Sequence, residues 1–161
     1  ALFLYLNKHG FNGLCRYNNS GQFNVPVGRY KSVKLPKEKM EYFSKKASHA
    51  EFIISDFIST MEKAQKGDVI YCDPPYVPLN DSNSSFKYEK SGFSMEQQKA
   101  LAKLAEKTAN RGIPVLISNH MTDFTREIYK NGQLMEFSVR RSISCRGDKR
   151  VRASEVLALY Q

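Results

Sequence analysis

Residues 68–78 read D-V-I-Y-C-D-P-P-Y-V-P, and this run limits the fold more sharply than any other stretch of the chain. Val69, Ile70, Tyr71 and Cys72 are apolar, mostly β-branched or aromatic, and predict a buried strand. Pro74 and Pro75 carry no N–H for a ladder, so that strand must end at Asp73. An acid, two rigid imide carbonyls and the ring of Tyr76 are thereby fixed at a strand tip.

The rest of the chain supplies the frame. Leu2 to Lys8 reads as a helix closed by His9-Gly10, and Leu14 to Tyr17 with Gln22 to Val25 as a hairpin around N-N-S-G. Glu38 to Ala47 predicts a helix, E-F-I-I-S a strand ending at Asp56, and Phe57 to Gln65 a helix. Pro78 to Ser91 reads as a mobile loop. Ser94 and Gln97 then form a capping box at the head of a helix whose face carries Met95, Leu101, Leu104, Ala105 and Thr108, with Gly112 at its C-terminal stop. I-P-V-L-I-S-N predicts a buried strand and Thr122 to Lys130 a helix. Met135 to Ile143 and Val156 to Tyr160 predict two late strands around the basic loop Cys145 to Arg152. Strands alternating with helices imply an α/β fold with a largely parallel sheet and functional loops at the strand C-terminal ends, where Asp56, Asp73 and Asn119 fall. Residues 1–47 are expected to form a recognition region and residues 48–161 a catalytic domain.

Charge points to a polyanion. Of the net +9, residues 1–47 carry +7 and residues 138–152 carry +5, so the remainder is slightly acidic. Scattered lysines usually mark only a solvated surface, but two concentrated segments are a footprint. Three cysteines without a C-x-x-C, and no ligand spacing against the three histidines, indicate neither a disulfide framework nor a zinc site. No apolar run approaches the roughly 18 residues of a membrane span, and no signal-peptide pattern is present. A reduced, cytosolic protein is the expectation.

The tip has a joint chemical meaning. The lone pair of a nucleobase amino group is delocalised into the ring, so the nitrogen must rehybridise before it can be alkylated. Acceptors on its N–H hydrogens favour that geometry and stabilise the developing positive charge. Asp73 can supply one acceptor and the Pro74 carbonyl another, while Tyr76 offers a face on which an extruded base stacks. Each residue alone is more simply a turn residue; together, after an apolar strand, they read as a site for amino-group alkylation.

With these residues the chain resembles the Dam-type DNA adenine methyltransferases, which act at GATC with S-adenosylmethionine. D-P-P-Y alone indicates amino methyltransferases in general. F-N-G-L-C-R-Y-N-N-S-G-Q-F-N-V-P-V-G-R-Y-K at 11–31 is similar to the family's target-recognition hairpin, and V-L-I-S-N-H at 115–120 and V-R-R-S-I-S at 139–144 look like further family segments. The resemblance covers essentially the whole chain. It implies a partial Rossmann-like methyltransferase sheet bearing a DNA-recognition β-hairpin and a helical appendage. It implies that Asp73, Pro74, Pro75 and Tyr76 are catalytic and that Asp56, Phe57 and Asp73 line the S-adenosylmethionine pocket. Arg16 would read a guanine, Leu14 and Pro26 the thymine methyl, and Tyr30 would join the base readout. Phe11 would insert beside the base pair left by a flipped adenine. Asn12, Asn18, Asn24, Arg29 and Lys31 would contact phosphates. The implied partner is double-stranded DNA containing GATC, met by a monomer in the cytoplasm, at the nucleoid of a bacterium or in a phage-infected cell, without metal or membrane.

Phe11 and Phe57 could be core aromatics, Arg29, Lys31, Arg140 and Arg141 surface charges, and Cys72 a small buried strand residue; His120, a single histidine after a strand end, is weak evidence of chemistry and is assigned no role. The family also carries an F-x-G-x-G cofactor loop and an N-terminal lysine segment, neither of which occurs here. Residues 1–161 alone are therefore expected to bind the cofactor weakly or not at all, as the C-terminal part of a longer enzyme. An rRNA base methyltransferase and a non-catalytic DNA-binding fragment are the competing readings.

Overall fold

A computed structural model describes residues 2–79, 93–140 and 152–161. The chain divides into two compact units, Ala1–Ile53 and Ile54–Gln161.

In the first unit, helix α1 (Leu2–His9) runs into a 3-10 turn (Phe11–Gly13), and helix α2 (Lys37–Ala47) follows later. The Gly10 amide donates to the Leu6 carbonyl at 2.7 Å. A Cβ at Gly10 would sit 2.8 Å from that same oxygen, so glycine alone allows the helix to close this tightly. The N-N-S-G turn forms: Gly21, at φ +73°, donates to the Asn18 carbonyl at 3.0 Å, and Asn18 Oδ1 accepts from the amides of Ser20 and Gln22. The arms meet at two antiparallel bridges, Tyr17 with Phe23 and Gly10 with Val27, and not as regular strands. Two exposed arms with no third strand to bury a face do not sustain a longer ladder.

The second unit contains α3 (Phe57–Glu62), β1 (Ile70–Cys72), α4 (Met95–Ala109), β2 (Val115–His120), α5 (Asp123–Ile128), β3 (Gln133–Arg140) and β4 (Arg152–Tyr160). Their sheet runs in the order β1-β2-β4-β3. Among the described residues only β1 and β2 pair in parallel; β4 is antiparallel to both β2 and β3. The largely parallel sheet expected from the sequence is thus corrected to a mixed one. Consecutive strands β3 and β4 pair directly, and a parallel pairing would have needed a helix-length crossover between them.

Both helix N-termini on either side of β2 are capped. Ser94 Oγ accepts from the Gln97 amide and Gln97 Oε1 from the Ser94 amide, which completes the expected box. Thr122 and Thr125 make the same reciprocal arrangement at α5, with threonine where glutamate or glutamine is usual. The α4 face buries Leu101, Ala102, Ala105 and Thr108 against Val115, Ile117, Val156, Ala158 and Tyr160 of the sheet. At about 1.5–3 kcal/mol for each large apolar side chain removed from water, this layer carries the unit.

A second expectation fails at E-F-I-I-S. Residues 51–56 form no strand, and Phe52, Ile53 and Ile54 are exposed. Strand propensity without a paired neighbour does not make a strand. The predicted mobile loop, Pro78 to Ser91, lies outside the described residues from 80 onward, as do Arg141 and residues 145–151 of the basic loop. Among the described residues no helix is long and apolar enough to cross a membrane, and no group of three or more His, Cys, Asp or Glu side chains could hold a metal ion.

Candidate active site and nucleic-acid interface

Parallel pairing fixes the site. Cys72 on β1 lies opposite Ile117 on β2, so Asp73, just past the C-terminal end of β1, comes beside Ser118, which is still paired within β2. Ser118 Oγ donates to Asp73 Oδ1 at 2.7 Å and itself accepts from the Tyr71 hydroxyl at 3.0 Å. Asp73 is exposed, so its carboxylate can face a ligand while one oxygen is tethered. Pro74, directly after it, is buried, and among the described residues no hydrogen bond engages its carbonyl.

Beyond Pro74 the backbone is gripped from below. The Pro75 carbonyl accepts from Gln98 Nε2 at 2.8 Å, and the Val77 amide donates to Asn119 Oδ1 at 2.9 Å. The Val77 carbonyl lies 2.7 Å from His120 Nδ1, a bond that requires the proton on that nitrogen. Asn119 Nδ2 donates to Gln98 Oε1 at 3.1 Å and to the Tyr129 hydroxyl at 3.0 Å, so the clamps are joined into one buried network. Gln98, Asn119 and Tyr129 are each 0% exposed. Buried amides with this many satisfied partners hold one loop conformation, because any other leaves polar groups unpaired. Asn119→Ala is expected to lower stability by about 3 kcal/mol in urea unfolding, since it takes the side-chain acceptor from the Val77 and His120 amides and one donor from Gln98 Oε1 and the Tyr129 hydroxyl.

Tyr76 is half-buried, its ring edge-on to His120 at 5.0 Å and 82°. Burial, first among several causes, holds its phenol above the ordinary tyrosine value, so it is neutral at pH 7. Burial also pushes the Cys72 thiol up to about 11, which removes a thiolate nucleophile from the tip.

Asp56 and Phe57 stand at the head of α3. Asp56 caps that helix: its Oδ1 accepts from the Ser59 amide at 2.9 Å and Oδ2 from Ser59 Oγ at 2.7 Å. These bonds hold its pKa below the usual carboxylate range. Asp56 and Phe57 line a cleft of about 690 Å³ with Ile58, Phe93, Glu96 and Gln97. The Phe57 and Phe93 rings lie 5.6 Å apart within it. The first turn of α4 therefore borders this cleft through Glu96 and Gln97 and holds the D-P-P-Y loop through Gln98.

The residues expected to meet DNA belong to the first unit. Phe11, Asn12, Arg16, Asn18, Asn24, Pro26, Arg29, Tyr30 and Lys31 are exposed and Leu14 is half-buried. Arg16 is braced across the turn, its Nε donating to Asn24 Oδ1 and one terminal nitrogen to the Asn24 carbonyl, both at 2.8 Å. Those bonds occupy one edge of the guanidinium and leave its end-on pair of nitrogens for a ligand. Asn18 and Asn24, expected at phosphates, thus have local duties as turn former and arginine brace. Tyr30 packs over Gly28, where an added Cβ would lie 2.1 Å from its ring, and its hydroxyl donates to the Gly10 carbonyl at 3.3 Å. Asn12 holds a positive φ of 52°.

Sequence reasoning missed Ser118 and Gln98 and gave His120 no role. Gln98 did leave a signal: it interrupts the apolar stripe continued by Leu101, Ala102 and Ala105, and a polar residue on a buried face needs partners.

A family model for the D12 class N6 adenine-specific DNA methyltransferase matches residues 1–143. The chain is 49% identical over all 161 residues to a DNA adenine methylase of Salmonella typhi and 48% identical to one of Escherichia coli (strain K12), spanning 58% of each. It is 48% identical over 160 residues to a DNA adenine methylase of Haemophilus influenzae, 99% of this chain and 56% of that protein. The chain thus spans less than two thirds of the length of these curated relatives.

Proposed function

We propose, because the chain belongs to the D12 class N6 adenine-specific DNA methyltransferase family, that its D-P-P-Y tip serves methyl transfer to the exocyclic amino group of adenine in duplex GATC. The observation that carries this reading is the tethered Asp73 carboxylate: exposed, bonded on one oxygen by Ser118, and followed by a loop clamped through buried Gln98 and Asn119. Such a carboxylate is an acceptor of fixed direction, which is what rehybridising an amino nitrogen requires. The adjacent Pro74 carbonyl is the second acceptor, and Pro75 keeps the turn rigid. The Tyr76 ring, steadied by His120, is the shelf for a base turned out of the helix.

S-adenosylmethionine is the methyl donor in this reading, supplying a methyl group on a positively charged sulfur. The cleft at α3 suits its adenosine part, with two aromatic rings and two carboxylates, Asp56 and Glu96, in the lining. Asp56 and Phe57 would hold it there, and Asp73 would face both donor and amine. The sheet order, with a parallel pair followed by reversed β4, supports assignment to a Rossmann-like methyltransferase sheet. The bacterial sources of the similar proteins support a bacterial, cytoplasmic setting.

In the first unit, Arg16 is the guanine reader, with Leu14, Pro26 and Tyr30 completing the base contacts and Phe11 entering the stack. Arg29 and Lys31, with Asn12, Asn18 and Asn24, contact the backbone. Lys31→Ala is expected to weaken binding to all duplexes alike and to reduce the salt slope of log K by about one unit, measured by fluorescence anisotropy across salt concentrations. Methyl transfer by the full-length protein to duplex GATC and to structured RNA tests the reading directly. Transfer to the duplex is expected, and transfer to RNA alone would replace it with an rRNA methyltransferase.

A further inference from the structure

A carboxylate at the tip of a strand is exposed, and an exposed aspartate normally samples several rotamers. Asp73 is held instead by a directed chain of hydroxyls drawn from two strands. The Tyr71 hydroxyl on β1 donates to Ser118 Oγ on β2 at 3.0 Å, and Ser118 Oγ donates to Asp73 Oδ1 at 2.7 Å. Ser118 has a single proton to give, and its alternative acceptors are neutral: the Cys72 carbonyl, at 3.3 Å, and the Tyr76 phenol, with which Ser118 also interacts. The charged acceptor takes that proton, while the Tyr71 donation occupies a lone pair and stops the hydroxyl from turning round.

The environment of the pair supports a dedicated arrangement. Ser118 is 4% exposed, so no bulk water competes for its hydroxyl. Tyr71 is 60% exposed, which a core role for its ring does not explain, yet its hydroxyl reaches back to Ser118.

We infer that Ser118, and Tyr71 acting through it, are positioning residues for the methyl transfer: they lock the Asp73 carboxylate so that Oδ2 is the oxygen presented to the substrate amine. This rests on the reading of Asp73 as the amine's acceptor. Orienting the acceptor before the amine arrives lowers the barrier without adding to substrate affinity, so the loss of either hydroxyl falls on turnover and not on binding.

The test uses the full-length protein and duplex DNA. Ser118→Ala is expected to lower kcat about tenfold, the loss of one charge-assisted hydrogen bond, with KM for DNA and for the methyl donor within about twofold. Tyr71→Phe, an exposed change that removes only an oxygen, is expected to lower kcat about threefold in the same pattern. Because Tyr71 acts only through Ser118, the double variant should be no slower than Ser118→Ala alone. A kcat within twofold of wild type for Ser118→Ala, or additive losses in the double variant, would overturn the inference. Should Ser118→Ala fail to fold, Tyr71→Phe decides, and an unchanged kcat there has the same meaning. Asp73→Asn separates the two levels. Inactive Asp73→Asn beside fully active Ser118→Ala removes the positioning role alone, whereas fully active Asp73→Asn removes the reading of the site with it.

Discussion

Asp73→Asn is expected to lower methyl transfer by at least about a thousandfold while changing DNA affinity by less than about threefold. The size of the effect follows from the network around the side chain. Ser118 donates to Oδ1 at 2.7 Å and is itself held by Tyr71. In the asparagine variant that donation keeps the amide oxygen on the Ser118 side and turns the NH₂ group toward the substrate. An N–H then faces the N–H of the amine, so an acceptor becomes a competing donor and the negative charge is lost as well. DNA affinity is spared because the residues assigned to the duplex lie in the other unit. Single-turnover rates with a saturating methyl donor, alongside binding isotherms, measure both numbers. An Asp73→Asn protein within about tenfold of the wild-type rate would mean that the carboxylate does not meet the reacting nitrogen.

Arg16→Ala is expected to reduce discrimination between GATC and a duplex altered at the contacted guanine by about 10- to 100-fold, the worth of one bidentate base contact. The braced geometry adds a second, smaller expectation. Asn24 takes the Arg16 Nε and one terminal N–H at 2.8 Å each, which orients the fork before any base is met. Asn24→Ala therefore leaves the charge in place but frees the fork, and should cost specificity by only about three- to tenfold. A plain phosphate role for Asn24 would instead weaken all duplexes equally. Competition binding with matched and altered duplexes separates the two outcomes.

The parts of the molecule that were legible in the sequence are those specified locally. Pro74 and Pro75 end β1 by covalent chemistry, the Ser94–Gln97 box starts α4 by hydrogen bonds within one turn, and the apolar spacing of α4 sets its buried face. What depended on partners was not legible. E-F-I-I-S has strand composition, but it pairs with nothing among the described residues. The direction of β4 is set by which neighbour it meets, and composition does not encode that. The same holds at the site. D-P-P-Y announces itself by type, whereas Ser118 and Gln98 are ordinary residues whose importance lies in reaching Asp73 and Pro75 across more than twenty intervening positions. Asn119 was placed correctly at a strand end, yet its role as the hub of a buried network appears only when Val77, Gln98 and Tyr129 converge on it.

In the proposed reaction these contacts make methyl transfer depend on a single arrangement, the Asp73 carboxylate fixed at the end of β1 as the acceptor for the amino group. Nucleoside mass analysis of GATC duplexes incubated with the full-length protein and S-adenosylmethionine tests that claim most directly. N6-methyladenine is expected, confined to the GATC adenine and absent with Asp73→Asn. A methyl group on cytosine or on a ring nitrogen, or N6-methyladenine formed equally by the Asp73→Asn protein, would contradict it.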